Sequence, residues 1–221
     1  MREWLLDNIS LKPQQDYKAE LANGLTHALG IVLAIVATIL FSVRLARGEV
    51  SAGFGVASVV FGVTMLVLYT SSTCYHLLQG PLAKRIARVM DHASIYFLIA
   101  GTYTPVMVAI DTTSSYAVLV FAWVFTVGGI AFTLAFWGRY GVLHVVMYLV
   151  MGWMIVAIWP DVIAGVNMPF IRWAIGGGIS YTTGTIFYGM QKLPYNHAIW
   201  HLFVLSGSVC FFFGIYLELG V

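Results

Sequence analysis

Histidine spacing is the strongest chemical signal in this sequence. His197 and His201 are four residues apart, so on a helix they share one face about one turn from each other. Two imidazoles at this spacing are a common way for a helix to bind one metal ion. Ser72 and His76 have the same spacing, which predicts a second helix that presents a hydroxyl group beside an imidazole.

These side chains fit the ligand pattern of a zinc ion. Three neutral histidines plus a water form the open arrangement of catalytic zinc, whereas structural sites usually have four protein ligands, often cysteine. The candidate ligands are His76, His197 and His201, and Asp91 is expected to hold a metal-bound water or to act as the fourth ligand. We favour Zn²⁺ because nothing else indicates redox chemistry, although the same ligand types also suit iron and copper.

Other polar residues are expected to orient the ligands rather than to bind the metal. Glu20, Asn23 and His27 fall on one stripe of a helix. With His92, they are the candidates for hydrogen bonds that hold the ligand imidazoles in place. A lone histidine near a membrane surface is more often an interfacial or hydrogen-bonded residue, which is the interpretation for His144.

Ser72 has two interpretations. Taken alone, a serine within a helix more often hydrogen-bonds the carbonyl group four residues earlier. Beside a metal centre, Ser72 becomes a candidate catalytic residue that donates a hydrogen bond to a developing oxyanion. Asp91 is the other candidate catalytic residue, because its carboxylate is able to orient or deprotonate a water.

The composition indicates that the elements carrying these residues cross a membrane. Hydrophobic residues make up 60% of the chain and charged residues only 9%, against about a quarter in an ordinary soluble domain. A soluble fold would need far more polar surface. The net charge of +2 and the lack of a basic run argue against nucleic-acid binding.

The pattern of apolar segments predicts an all-α integral membrane protein with seven transmembrane helices. Each segment is long enough to cross the hydrocarbon core as a helix, and Pro160 to Pro169 is expected to be one of the breaks between them. Residues 1–21 form a cytoplasmic leader and residues 22–221 the transmembrane domain. The predicted spans are 22–43, 52–78, 92–110, 116–137, 142–159, 169–190 and 197–217.

The distribution of positive charge predicts the orientation. Of the 11 Lys and Arg residues, all but Arg44, Arg47 and Arg172 fall on one side of these spans. The positive-inside rule then places the N-terminus in the cytoplasm and Val221 outside, in a multi-pass protein of the inner membrane. All six histidines fall in the cytoplasmic half. The leader sequence around Trp4 is consistent with a short interfacial helix or with disorder.

Four sequence segments resemble the hemolysin III family, the bacterial branch of the progestin and adipoQ receptor family. The residues of these segments, their order and their positions at the ends of the seven spans all match the family. The segments are ELANGLTH at 20–27, SSTCYH at 71–76, DHASIYFLIAGTYTP at 91–105 and HAIWHLFVLSG at 197–207.

The resemblance implies a zinc site near the cytoplasmic face. In relatives with these motifs, three histidines bind zinc and an aspartate contacts a zinc-bound water. Carried over by position, these residues are His76, His197, His201 and Asp91, and the motif serine is Ser72, beside the metal. Because the wider superfamily includes alkaline ceramidases, the resemblance also implies a lipid amide hydrolase.

Four functions remain open from the sequence. The first is a zinc-dependent hydrolase of a lipid amide or ester, with membrane lipid as its substrate. The second is a receptor-like regulator of membrane state in which zinc is structural and lipid is a ligand. The third, a cytolysin or channel, is less favoured because the outer half lacks a continuous polar path. The fourth, a proton-coupled transporter, is less favoured because no relay of ionisable residues crosses the membrane. The sequence does not indicate the oligomeric state.

Overall fold

The computed structural model describes residues 2–11 and 16–220 and is helical, with no strand among those residues. Lys12 and Val221, which entered the orientation argument, lie outside the described residues. A 3₁₀ segment, Met154–Ile158, separates two of the helices. The α-helices are α1 (Arg2–Asn8), α2 (Tyr17–Ala46), α3 (Ala52–Leu77), α4 (Pro81–Ile110), α5 (Thr113–Ala135), α6 (Gly141–Trp153), α7 (Trp159–Gly165), α8 (Met168–Gly189) and α9 (Asn196–Glu218).

Six helical segments among the described residues are long and apolar enough to cross a membrane, which confirms the class of helical, multi-pass membrane protein. They are α2, α3, α4, α5, the continuous stretch Gly141–Gly165, and α9. The remaining long helix, α8, has 22 residues, but its glycines and hydroxyl side chains make it less apolar. The count of seven spans and the orientation of the termini therefore stay predictions.

Two boundaries differ from the predicted spans. Helix α4 begins at Pro81, about ten residues before the predicted 92, because a proline in the first turn starts a helix without losing a hydrogen bond. The break predicted at Pro160 to Pro169 contains the observed one, which lies at Val166 and Asn167 between α7 and α8. The predicted span that ends at 159 instead continues to Gly165, because Pro160 lies in the first turn of α7, and the 3₁₀ segment at Met154–Ile158 lies within this stretch.

The long helices pack as antiparallel neighbours joined by short connections. Close packing of α2 against α3 depends on Gly30, where a Cβ atom would collide with the buried ring of Tyr69. As a result, the start of α2, the end of α3 and the start of α9 lie together. We call this the histidine end of the bundle, and the end that holds Arg44, Thr112 and Glu218 the opposite end.

The leader contains a helix that packs on α4. Ile9, just after α1, is fully buried, and its carbonyl oxygen accepts a hydrogen bond of 2.8 Å from Arg85 Nε. The next carbonyl, of Ser10, accepts a hydrogen bond from Arg88 Nη1. The leader is therefore attached to the histidine end, and an interfacial position for α1 stays a prediction.

Candidate metal centre

Three histidines from two helices converge at the histidine end. His76 is near the end of α3, and His197 and His201 are on the first turns of α9. One ring nitrogen from each lies within 4.8 Å of the others, the only such group of three or more potential ligands found in the described part of the chain. The structure thus brings together the three side chains that the sequence assigned as ligands, in a geometry that one metal ion fits.

A carboxylate orients the first of these rings. His76 Nδ1 lies 3.1 Å from Glu20 Oε2, and Lys84 Nζ lies 3.5 Å from the same oxygen. Because an ionised carboxylate only accepts hydrogen bonds, Nδ1 carries the hydrogen and Nε2 presents its lone pair. His76 Nε2 is buried and has no hydrogen-bond partner. This contact agrees with an orienting role for Glu20, which stays a prediction.

Main-chain and side-chain oxygens of α2 orient His201. Its Nδ1 donates a hydrogen bond of 2.9 Å to the carbonyl oxygen of Asn23 and lies 3.2 Å from Thr26 Oγ1. This fixes the hydrogen on Nδ1 and leaves Nε2 as the atom able to bind a metal. Asn23 was predicted for this role, but its contact here is through the main chain.

Thr26 was missed because it lies off the stripe formed by Glu20, Asn23 and His27. Its hydroxyl group also donates to the Ala22 and Asn23 carbonyls. These bonds show the usual backbone role of a helical threonine, which the sequence alone could not separate from a role at the site.

His27 contacts the cluster by stacking. Its ring lies parallel to that of His201, with 3.6 Å between the centroids and 15° between the planes. Both ring nitrogens are buried without a hydrogen-bond partner. His27 therefore contacts a candidate ligand through its ring face, and the supporting role expected for it stays a prediction.

Asp91 lies beside the triad rather than within it. It lines a small cavity of about 20 Å³ together with His76, His197 and Tyr188, and this volume is enough for one water. Its carboxylate is not among the ligand atoms that group with the three histidines. Of its two predicted roles, contact through a water agrees better with this placement than direct ligation.

His92 follows Asp91 and lines the same small cavity. Its Nδ1 lies 2.9 Å from the Arg88 carbonyl oxygen and 3.8 Å from Asp91 Oδ2. A role in orienting the ligands stays a prediction for this residue.

Ser72 does not make the backbone hydrogen bond expected of an isolated helical serine. Its hydroxyl group is fully buried on α3, one turn before His76, and has no hydrogen-bond partner. A buried hydroxyl without a partner costs about 1–3 kcal/mol. Ser72 lines neither cavity of the site, so a role for its hydroxyl group in binding or catalysis stays a prediction.

A larger cavity of about 450 Å³ extends from His197 and His201 of the triad into the interior of the bundle. His197, His201 and Asp91 line one part of it, and apolar side chains such as Val106 and Phe170 line the part towards the opposite end. The volume is within the range of about 300–1,000 Å³ typical of small-molecule sites. His144 also lines this cavity and lies 3.4 Å from Thr133 Oγ1, so its predicted hydrogen-bonded role agrees with the structure.

The fold and the histidine cluster define a helical, multi-pass membrane protein with a candidate metal centre. The family model described as Haemolysin-III related matches residues 15–212, and the chain belongs to this family. The chain is 43% identical over 202 residues to the hemolysin-3 homolog of Bacillus subtilis (strain 168), which covers 89% of this chain and 92% of that protein. It is 36% identical over 200 residues to hemolysin-3 of Bacillus cereus, with 90% and 91% covered.

A more distant relative extends the similarity to animals. The chain is 27% identical over 205 residues to the human monocyte to macrophage differentiation factor, covering 88% of this chain and 82% of that protein. These matches confirm the family resemblance seen in the four sequence segments.

Proposed function

We propose that this chain is a zinc-dependent hydrolase of a lipid amide or ester, placed in the inner membrane with its histidine end towards the cytoplasm. The observation that carries the proposal is the position of the histidine triad beside a 450 Å³ cavity with a largely apolar lining, because His197 and His201 of the triad line one end of that cavity. Such a cavity accepts an acyl chain and directs the polar bond next to that chain towards the triad.

The residues present fit a zinc ion. His76, His197 and His201 supply three neutral nitrogens, and the buried Nε2 of His76 lacks any protein partner. The hydrogen bonds to Glu20 and to the Asn23 carbonyl oxygen set the ring tautomers as in known zinc sites. Bound zinc supplies Lewis acidity, which lowers the pKa of water towards about 7 and polarises a carbonyl group.

Two further residues have defined tasks in hydrolysis. The Asp91 carboxylate, in the small cavity beside the triad, accepts the proton of the attacking water and passes it to the leaving group. The Ser72 hydroxyl group donates a hydrogen bond to the carbonyl oxygen as that oxygen gains negative charge. Neither task requires Ser72 to form a covalent bond to the substrate.

Hydrolysis is tested with purified protein and a panel of lipid amides and esters that includes ceramides. The expected result is release of fatty acid that stops on chelation, returns with added zinc and is absent in Asp91→Asn. Asp111→Asn, at the opposite end of α4, is the matched control and should retain full activity. Zinc retained by the wild-type protein without hydrolysis of any lipid in the panel would contradict the proposal.

A structural metal in a receptor-like regulator is the second candidate. The ligands come from α3 and α9 and their hydrogen-bond partners from α2, so a bound ion would fasten three helices together. The lipid would then be a ligand rather than a substrate. This candidate predicts a large zinc-dependent rise in the unfolding temperature and a ligand-dependent conformational change, with no turnover.

A further inference from the structure

Arg88 is a buried cation that the proposed hydrolysis does not use. It lies on α4, one turn before Asp91, and only 7% of its surface is exposed. Nη1 donates to the Ser10 carbonyl oxygen, and the guanidinium lies 5.3 Å from the Trp137 ring centroid and 6.0 Å from that of Tyr75. Its Nε atom is buried and has no hydrogen-bond partner.

This arrangement is costly without a further partner. A buried donor left without an acceptor costs about 1–3 kcal/mol, and more when the group is charged. Aromatic rings stabilise the cation but do not accept the Nε–H hydrogen bond in the way an oxygen does. The guanidinium has five N–H donors in a planar fork, the geometry that matches a carboxylate or a phosphate.

Arg88 also lines the 450 Å³ cavity, and the charges around that cavity indicate which ligand it prefers. In the described part of the chain, the charged side chains that line it are Arg88, Arg139 and Asp91, together with five histidines. With the histidines neutral, the lining carries a net positive charge, located at the histidine end. The rest of the lining is largely apolar, with side chains such as Leu98, Val106 and Phe170.

We propose that Arg88 is the oxyanion-binding residue of a site for an anionic amphiphile, a molecule with one hydrocarbon chain and a phosphate or carboxylate headgroup. The headgroup pairs with the buried guanidinium, and the chain extends along the apolar part of the cavity. The inference goes beyond hydrolysis, because it concerns binding and holds whether the bound lipid is a substrate, a product or a regulatory ligand.

Arg85 provides a matched control on the same helix. It lies three residues before Arg88, and its Nε donates to the carbonyl oxygen of Ile9, the neighbour of Ser10. Both arginines therefore hold the leader through a main-chain carbonyl. Arg85 is not among the residues that line the cavity. Substituting either residue weakens attachment of the leader, but only the substitution of Arg88 removes the oxyanion partner.

The test measures binding of radiolabelled dodecyl phosphate to immobilised protein in a nonionic detergent, with unlabelled competitors. Unlabelled dodecyl phosphate should displace the radiolabelled ligand at a concentration about tenfold or more lower than dodecanol does, because the alcohol cannot form a charge-assisted hydrogen bond with the guanidinium. Inorganic phosphate should not compete over the same range, since it lacks the chain. Arg88→Gln should weaken dodecyl phosphate binding about tenfold or more, and Arg85→Gln should change it less than about twofold.

Several outcomes would overturn the proposal. Equal competition by dodecanol would show that no oxyanion is recognised, and equal competition by inorganic phosphate would show that no chain is bound. Equal losses in Arg88→Gln and Arg85→Gln would assign the effect to the leader. If Arg88→Gln does not fold, the competition is repeated on wild-type protein stripped of metal, where loss of the preference for the phosphate would overturn the proposal. Arg88→Lys, which keeps the charge but loses the planar fork, should bind with intermediate affinity, and an affinity equal to that of the wild-type protein would also count against the fork as the binding element. Because none of these measurements needs turnover, they can fail or succeed independently of the hydrolase proposal.

Discussion

The two ends of the helical bundle use their polar groups differently. At the opposite end, Arg44 Nη1 donates a hydrogen bond of 2.7 Å to the Tyr216 carbonyl oxygen, and Asn167 Nδ2 donates one of 3.0 Å to the Glu218 carbonyl oxygen. Thr112 and Ser115 form a capping box at the start of α5. These groups satisfy helix termini, so their role is structural.

At the histidine end, several buried polar atoms have no protein partner. They include both ring nitrogens of His27, Ser72 Oγ, His76 Nε2 and Arg88 Nε. Each unsatisfied buried group costs about 1–3 kcal/mol. His27 and Arg88 line the larger cavity and His76 lines the smaller one. Since buried polar groups are normally paired, their concentration at this end indicates that the histidine end is arranged for a bound molecule and the opposite end for stability.

Removing a ligand histidine should give the largest difference between the ends. His201→Ala removes one of three metal ligands, and we expect the zinc affinity to fall by more than about a hundredfold. Any hydrolytic activity should be lost with the metal. Asn167→Ala, at the opposite end, should leave the zinc content unchanged. Zinc analysis of both purified variants checks this, and a normal zinc content in His201→Ala would remove that residue from the site.

Removing the Ser72 hydroxyl group should act on turnover alone. Loss of one oxyanion donor lowers kcat by about a hundredfold or more, and Ser72→Ala should do so with its zinc content unchanged. Ser115→Ala removes a buried hydroxyl from the capping box at the opposite end and should affect stability without affecting kcat. Steady-state kinetics on the hydrolysed lipid distinguishes them. Equal kcat values for Ser72→Ala and the wild-type protein would exclude the assigned role.

Weakening the hydrogen bond to His76 should have an intermediate effect. Glu20→Gln replaces the carboxylate that accepts from Nδ1, and changes of this kind reduce metal affinity by about tenfold or more. Glu49→Gln disturbs a surface ion pair with Arg47 at the opposite end and should leave zinc affinity as it is. Competition with a chelator of known affinity measures the zinc affinity of both variants. An unchanged affinity in Glu20→Gln would show that this hydrogen bond does not tune the metal.

The smallest effect at the site should come from the opposite end. Arg44→Met breaks the bond to the Tyr216 carbonyl oxygen and the contact with the Tyr216 ring, at 5.1 Å from its centroid. We expect a loss of about 2 kcal/mol of stability with no change in zinc affinity. Thermal unfolding in detergent checks the first part and zinc analysis the second. A loss of zinc in this folded variant would show that the two ends are coupled.

The sequence predicted what depends on periodicity and composition. Apolar segments placed the helices, and the spacing of His197 and His201 placed two imidazoles on one face. Asp91 was expected at the depth of His76, and both residues line the small cavity, although α4 begins ten residues before Asp91. The resemblance to the family, now confirmed, supported the same choice of residues.

The remaining features depend on three-dimensional contacts that spacing does not encode. Asn23 contributes its main-chain carbonyl, which every residue has, so its letter carries no signal for that role. Arg88 reads as one more positive charge of a cytoplasmic loop, and only the early start of α4 buries it. The 3₁₀ segment has an ordinary apolar sequence, and Pro160 was misleading because a proline is compatible with a first helical turn.

The most direct test of the account is the metal content of the wild-type protein purified in mild detergent without added metal. Elemental analysis combined with X-ray absorption spectroscopy identifies the ion and its ligands. The account predicts about one zinc per chain with histidine nitrogens in its coordination shell, lost in His76→Ala. A wild-type protein that contains no metal, or a zinc ion without histidine ligands, would contradict it.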